Sequence, residues 1–363
     1  MPGIISHHRL LVETVAHLAR ERHLPPPLRS VEILLNTPAF KNAAFFGAIG
    51  PNIFDYAPGL TRQLYGSPLS YLMHNGGSVT FIAAMLRRIG ALDDLNTEWA
   101  SVQRAYLHGF IAHAVADIVY HPFMFYWSGF PDAFIRREIN HYREQNLVFE
   151  YNLDLFFLHQ YRTDGYAFNL DDMLPLREGR RGLRINRPVK RLILEAFKEG
   201  FPDQYRRLFL GRPSGDVDGD ANAFTLLDAL PSLIRATYWI KRNRNPRLNA
   251  LLDALRRRTA LFNDYLVRYP DPRRINSHVL NLHRQRWVYP AGARGIHYES
   301  VEDLMRVVVD RTVDLWARVE AKLRQGNDNY SDVIRDLRTN NLSGEDGKDY
   351  LAMKDKEPVR LRV

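Results

Sequence analysis

Residues 106–122 read YLHGFIAHAVADIVYHP and carry two histidines and an aspartate at four-residue intervals, His113, Asp117 and His121. In an α-helix, positions four apart are offset by only about 40°, so the three side chains share one face. The residues between them are apolar, which predicts a helix that is buried on most sides. Buried imidazole and carboxylate groups need partners, and both are zinc ligands. The pattern predicts a metal site, with a hydrogen-bonded His–Asp pair in the core as the alternative.

The composition limits how such a metal could be held. The chain has 363 residues, of which 45% are hydrophobic and 12% aromatic, and it has no cysteine. This length and composition are typical of a globular protein with a sizeable core. Without cysteine there are no disulfides and no thiolate sites, so the ligands must be histidine, aspartate, glutamate or main-chain groups.

The amino-terminal segment, MPGIISHHRLL, lacks the cationic start and continuous apolar core of a signal peptide. No segment approaches the roughly 18 uninterrupted apolar residues that a membrane helix needs. The sequence therefore predicts a soluble, cytoplasmic protein.

Hydrophobic periodicity is helical nearly throughout, which predicts an all-α fold. We expect one domain over residues 1–325, a loop-rich insertion at about 163–188, and a polar, mobile tail over 326–363. Within the domain, residues 43–56 are aromatic and interrupted by glycines, and this pattern favours a buried loop with short helical turns over a strand.

The net charge of +9 is concentrated in residues 177–191, which hold seven cations against the single acidic residue Glu178. Such a segment, from Arg177 to Arg191, can contact an anionic membrane or a nucleic acid. The alternative is a solvated loop with no partner.

Further candidate ligands and carboxylates lie outside the first stretch: His8, Asn52, Asp55, His74, Asn146, Glu150 and Asp154. His7 is a rival to His8, and the spacing to Val15 favours His8. Glu150 and Asp154 are four residues apart on one predicted helix, where a capping and salt-bridging pair is the alternative to a metal role.

Taken together, these segments resemble the zinc-dependent phospholipase C family, whose all-helical fold is shared with single-strand-specific P1-type nucleases. The specific part runs from Gly109 to Asp154, with GFIAHAVAD, the nearby His-Pro, and Glu150 and Asp154 on one helix. Weaker matches are FGAIGPN at 46–52, GSPLSYLMH at 66–74, NLHRQRWVYP at 281–290 and SVEDL at 300–304. The resemblance runs from about His7 to Val313 and leaves the middle insertion unmatched.

The resemblance implies a trinuclear zinc site in which Asp117 bridges two ions. Asn52, His74 and His113 would hold one ion, His8 would help to hold the second, and His121, Asn146 and Glu150 would hold the third. It also implies hydrolysis of a phosphodiester, in a phospholipid or a related molecule, by a metal-bound hydroxide. Asp117, Glu150 and Asp55 are the candidate catalytic carboxylates.

Two positions depart from the family pattern: Asn52 stands where the family has aspartate, and Asn146 where it has histidine. Each change weakens a ligand, so the site is expected to hold between one and three zinc ions. The alternatives to a phospholipase C-like activity are a P1-like single-strand nuclease and a degenerate, non-catalytic protein that binds lipid or a partner.

Overall fold

A computed structural model describes residues 3–56, 69–129, 136–177, 184–208, 225–258, 268–271, 273, 275–288 and 296–337. Across these ranges the chain is mostly helical, which confirms the all-α class. The strands described there form two small antiparallel hairpins, β1 (Leu176–Arg177) with β2 (Arg184–Ile185) and β3 (Trp287–Val288) with β4 (Ile296–His297).

The helices are, in chain order, α1 (Ile4–Arg20), α2 (Pro26–Asn36), α3 (Pro38–Ile49), α4 (Leu69–Leu72), α5 (Ser78–Gly90), α6 (Glu98–Ser128), α7 (Arg136–Thr163), α8 (Arg187–Gly200), α9 (Pro202–Arg207), α10 (Leu226–Arg242), α11 (Pro246–Arg258), α12 (Val301–Arg324) and α13 (Ser331–Leu337). A 3-10 helix (Gly50–Tyr56) follows α3, and a π-helical turn (Met73–Gly77) joins α4 to α5. Two further 3-10 turns are Leu170–Met173 and Ser277–Leu280.

Helix α6 is the central element of the fold. Every residue from Ala100 to Phe125 is buried, because α1, α3, α5, α7, α8 and α12 pack around it. The helix begins after Thr97, whose hydroxyl accepts a hydrogen bond from the amide of Ala100, and ends at Gly129 with φ 79°. This burial on all sides agrees with the apolar residues between His113 and His121.

Helix α3 crosses α6 at very short range. A β-carbon on Gly109 would lie 1.9 Å from the carbonyl oxygen of Ala44, and one on Gly47 would lie 2.1 Å from that of Tyr106. The prediction for residues 43–56 is therefore wrong in its first half, since residues 43–49 belong to α3, whereas the short 3-10 helix Gly50–Tyr56 agrees with the predicted helical turns. The glycines allow two backbones to approach each other and do not interrupt the helix.

The described parts of the insertion and of the tail pack against the helical core. Leu170, Met173 and Ile185 are buried in the insertion, around the β1–β2 hairpin. The helical core continues beyond residue 325, because Val333 and Leu337 of α13 are buried in it. Residues 338–363 of the predicted tail lie outside the described ranges.

Two cations of the basic segment 177–191, Lys190 and Arg191, are paired within the fold. Lys190 is 1% exposed, and its Nζ lies 2.6 Å from Asp228 Oδ2. Arg191 pairs with Glu195 at 3.0 Å and lies over the ring of Trp99. Residues 178–183 lie outside the described ranges, so the predicted contact with a membrane or nucleic acid stays a prediction for that part.

Among the described helices, none combines the length and the apolar composition needed to cross a membrane.

Candidate metal centre

Asp117 lies at the centre of a group of four imidazoles. Its Oδ2 is 2.9 Å from His113 Nε2 and 3.2 Å from His74 Nε2. Its Oδ1 is 3.5 Å from His121 Nε2 and 3.6 Å from His7 Nε2. All five side chains are buried, with at most 2% exposure. Each carboxylate oxygen therefore faces two ring nitrogens inside the core.

Three separate segments supply this group. Helix α6 carries His113, Asp117 and His121 on one face, as the four-residue spacing predicts. Helix α1 supplies His7, and the π-helical turn Met73–Gly77 supplies His74. A π-turn is a local widening of a helix and occurs frequently at functional sites.

Backbone carbonyls fix the orientation of two imidazoles. His113 Nδ1 lies 3.0 Å from the carbonyl oxygen of Ala48, and His74 Nδ1 lies 2.6 Å from that of Ser70. A carbonyl can only accept a hydrogen bond, so Nδ1 carries the proton in both rings. In a neutral ring the lone pair of Nε2 then faces Asp117. This is the arrangement in which histidine binds a metal through Nε2.

The contacts around Asp117 lack hydrogen-bond geometry. Within the described part of the chain, both carboxylate oxygens and the Nε2 atoms of all four histidines have no hydrogen-bond partner. A single carboxylate can neutralise one imidazolium at most, so protonation cannot satisfy four rings. A divalent cation between the oxygens and nitrogens satisfies them together.

The charges of these groups favour a cation. Burial by itself would raise the pKa of Asp117, but His113 and His121 beside it hold this pKa well below its ordinary value. Burial lowers the pKa of His7 and of His121 well below the usual value. The site therefore offers an anionic carboxylate at Asp117 and neutral imidazoles at His7 and His121, which are the forms that bind metal.

The donor atoms of His7, His113 and Asp117 all lie within 4.8 Å of one another, so this group can hold a metal ion. Its ligands are nitrogen and oxygen, which suits zinc and other borderline divalent cations and does not decide among them.

The structure corrects the choice between the two histidines of α1, because His7 lies beside Asp117 and His8 does not take that position. His8 Nδ1 lies 2.6 Å from Tyr161 Oη, its ring stacks on Phe45, and burial lowers its pKa to about 3. Successive helix residues point about 100° apart, so only one of the pair can face Asp117.

Asp154 sets the rotation of α1. Its Oδ1 accepts hydrogen bonds from the amide (2.8 Å) and the hydroxyl (2.6 Å) of Ser6, and its Oδ2 accepts one from Tyr269. These bonds satisfy free donors in the first turn of the helix. Asp154 thus has the capping role that was the alternative to a metal role.

Asn52 belongs to the turn that packs against His113. Gly50 has φ +59°, and a β-carbon there would lie 2.4 Å from the ring of His113. Two residues later, the side-chain oxygen of Asn52 is buried and has no hydrogen-bond partner in the described ranges. An amide oxygen in this state fits a weak metal ligand, as the sequence predicts for this position.

The remaining predicted residues lie in other contacts. Asp55 Oδ1 accepts a hydrogen bond of 2.5 Å from Ser70 Oγ, and the carbonyl of the same serine holds His74. The amide of Asn146 lies 2.5 Å from Ser128 Oγ at the end of α6. Burial raises the pKa of Glu150, with smaller effects from Lys241 and Asp55. The metal roles of Asn146 and Glu150 stay predictions.

Comparison with models of protein families, with curated proteins and with solved structures finds no match. The chain is thus a mostly helical protein with a buried His/Asp group that can hold a metal, and its function has to be inferred from that group.

Proposed function

We propose that this chain is a metal-dependent phosphodiester hydrolase of the zinc-dependent phospholipase C type, with the helical fold of that family. The observation that supports this proposal is the placement of His7, His74, His113 and His121 around the two oxygens of Asp117. A carboxylate that faces two imidazoles on each oxygen is suited to bridge two cations, as the resemblance implies.

The donor set fits zinc. His7, His113 and Asp117 would hold one ion, and His74 and His121 provide further nitrogens at the same carboxylate. Zinc in such a site supplies Lewis acidity, which stabilises negative charge that develops on phosphoryl oxygens. The carbonyls of Ala48 and Ser70 orient the imidazoles of His113 and His74 toward Asp117. Loss of such outer contacts commonly weakens metal affinity about 10- to 100-fold.

Glu150 is the chain's own candidate for proton transfer. Burial raises its pKa, so its carboxyl group holds a proton nearer to neutral pH than an exposed glutamate does. A carboxyl group with this property can act as a general acid or base. Asp55, linked to His74 through Ser70, is a positioning residue for the centre.

One observation favours a second candidate, a non-catalytic protein in which the metal only stabilises the fold. His113, Asp117 and His121 are each 0% exposed, and His7 and His74 are each 2% exposed, so the ligands have almost no contact with solvent. Structural zinc sites are closed, whereas catalytic sites keep one position open. Asn52 and Asn146, which replace stronger ligands, agree with this candidate.

The test compares Asp117→Asn with Asp314→Asn, which makes the same change at an exposed carboxylate that pairs with Arg318 on α12. Zinc per chain and hydrolysis of bis(p-nitrophenyl) phosphate are measured for both variants and the wild type. We expect Asp117→Asn to lose zinc and at least about 100-fold in turnover, whereas Asp314→Asn keeps both. Unchanged turnover in Asp117→Asn would contradict the proposal.

The same preparation separates the rival functions. Hydrolysis of phosphatidylcholine supports the phospholipase activity, and cleavage of single-stranded DNA without lipid hydrolysis supports the nuclease. Stoichiometric zinc with no turnover on any of these substrates supports the non-catalytic protein.

A further inference from the structure

The end of α10 and the start of α11 expose large apolar side chains. Trp239 is 61% exposed, although most other apolar residues of α10 are buried or partly buried, and Leu251 of α11 is 57% exposed. We define the α10–α11 surface as Trp239, Arg242, Arg244, Arg247 and Leu251. Single exposed apolar residues are common on protein surfaces, so these two side chains become informative only together with the positive charges beside them in the chain.

This surface lies within a strongly basic segment. Residues 229–252 contain four arginines and one lysine but no aspartate or glutamate. The nearest acidic residues along the chain are Asp228, which is buried against Lys190, and Asp253, which pairs with Arg268 at 3.0 Å. The segment therefore carries five positive charges with no acidic residue of its own to balance them.

Two of the five cations are already engaged by the fold. Arg235 pairs with Asp171 at 2.7 Å. Lys241 Nζ lies 5.7 Å from the ring centre of Tyr56 and 5.2 Å from that of Tyr151. Through Lys241, this side of α10 faces the 3-10 helix Gly50–Tyr56, against which α10 packs.

The other three cations belong to the α10–α11 surface. Arg242 lies over the ring of Tyr238, and Arg244 donates to the carbonyl of Pro270 at 3.4 Å. Among the residues that the structure describes, Arg242, Arg244 and Arg247 form no ion pair with a carboxylate. Arg244 and Arg247 are both exposed. The charge of this surface is thus available to an anionic partner.

We propose that the α10–α11 surface binds a membrane that contains anionic phospholipids. Tryptophan is favoured at the boundary between lipid headgroups and hydrocarbon, because its ring is apolar and its N–H is polar. Arginines near an anionic leaflet each contribute about a fivefold gain in binding. The aliphatic Leu251 favours lipid over nucleic acid, since single-strand binding uses several aromatic faces and Trp239 is the only aromatic residue of this surface.

This inference does not depend on the proposed hydrolase, because it concerns other residues and a binding step. The test measures sedimentation of the full chain with vesicles of phosphatidylcholine alone or with phosphatidylglycerol added. We expect binding to the anionic vesicles, and at least about a thirtyfold loss of binding in Arg244→Glu/Arg247→Glu, because two attractive charges are lost and two repulsive ones are added. Trp239→Ser should also weaken binding.

Two control variants change the net charge or remove an exposed apolar side chain at other positions of the molecule. Arg20→Glu/Arg22→Glu gives the same change in net charge at the end of α1, and Ile33→Ser removes an apolar side chain that is 57% exposed on α2. Both should bind vesicles like the wild type. Circular dichroism checks that every variant is folded.

A third measurement locates Trp239. Brominated lipid should quench the fluorescence of the wild type more than that of Trp239→Phe, since the other tryptophans stay away from the bilayer. The proposal is overturned if anionic vesicles are not bound, if Arg20→Glu/Arg22→Glu loses as much binding, or if quenching is the same in both proteins. Binding of a single-stranded oligonucleotide through Arg244 and Arg247, without vesicle binding, also overturns it.

Discussion

His113, Asp117 and His121 could be placed together from the sequence because a helix fixes the direction of residues four apart. Their hydrogen-bond partners could not be predicted. The carbonyl of Ala48 reaches His113 only because α3 crosses α6 there. Every residue has a backbone carbonyl, so the sequence does not indicate which one accepts the hydrogen bond.

A similar reason explains why the sequence favoured His8 as the residue beside Asp117, whereas the structure has His7 there. Adjacent residues on α1 differ by about 100° in direction, and both histidines are buried, so local apolar spacing could not separate them. The rotation is set by the bonds between Ser6 and Asp154, which is 148 residues away in the chain. A contact of that range is not visible in local sequence.

His108, a buried histidine outside the group around Asp117, makes stability depend on pH. Its Nε2 lies 3.3 Å from Glu320 Oε2, and Arg104 pairs with the same carboxylate. Burial lowers the pKa of His108, so the ring stays neutral in the folded protein at a pH where the unfolded chain takes up a proton. Stability therefore falls as the pH falls below about 6.5.

We expect His108→Gln to remove this contribution. Between pH 6.5 and 5, the slope of the unfolding free energy against pH should decrease by up to about 1.4 kcal/mol per pH unit. Urea unfolding at several pH values measures it, and His23→Gln, at an exposed position, is the control. Glu320 also has a lowered pKa, because the surrounding hydrogen bonds and charges of His108 and Arg104 outweigh its burial. Its protonation therefore also reduces stability as the pH falls, but only below about pH 4.5. An unchanged slope in His108→Gln would show that the ring is not kept neutral.

At the scale of elements, α3 shows why glycine patterns mislead. Residues 43–56 look like a loop because Gly47 and Gly50 interrupt an apolar run. The structure uses the two glycines differently. Gly47 lies inside α3 and permits the close approach to α6, whereas Gly50 ends the helix with a positive φ. Only the second is a helix breaker.

Gly50 also links this element to the metal centre, which gives a prediction. In Gly50→Ala the methyl group meets the ring of His113, so we expect loss of stability and weaker zinc binding. Gly165→Ala is the matched control, because Gly165 has φ +74° but no atom within 4 Å of the added carbon. Both should lose about 1–3 kcal/mol, because a positive φ is unfavourable for alanine.

Zinc affinity separates the two glycine variants. Competition with a chelating dye should show weaker binding in Gly50→Ala and wild-type binding in Gly165→Ala. Equal affinities in the two variants would mean that the turn does not support His113.

At the scale of the whole molecule, hydrophobic periodicity predicted the all-α class correctly, because helical periodicity is a local signal. The distribution of charge was harder to predict. The segment 177–191 stands out in the sequence, yet Lys190 is buried against Asp228. The exposed positive charge of α10 and α11 is spread over two helices. Uncharged residues lie between the arginines in the sequence, so the cations do not form a conspicuous run.

The proposed centre also joins distant parts of the molecule. His7, His74 and Asp117 come from three segments that are far apart in sequence, so a metal that binds them binds the folded chain and not the unfolded one. Such a ligand stabilises the folded state by mass action, by about 4 kcal/mol when its concentration is 1,000 times its dissociation constant.

Zinc K-edge X-ray absorption of the purified chain tests most directly whether the imidazoles around Asp117 hold a metal ion. We predict at least one zinc per chain, a first shell of nitrogen and oxygen at about 2.0–2.1 Å with the outer scattering of imidazole, and loss of this signal in Asp117→Asn. A wild-type protein without stoichiometric metal after zinc loading, or an unchanged spectrum in Asp117→Asn, would contradict the claim.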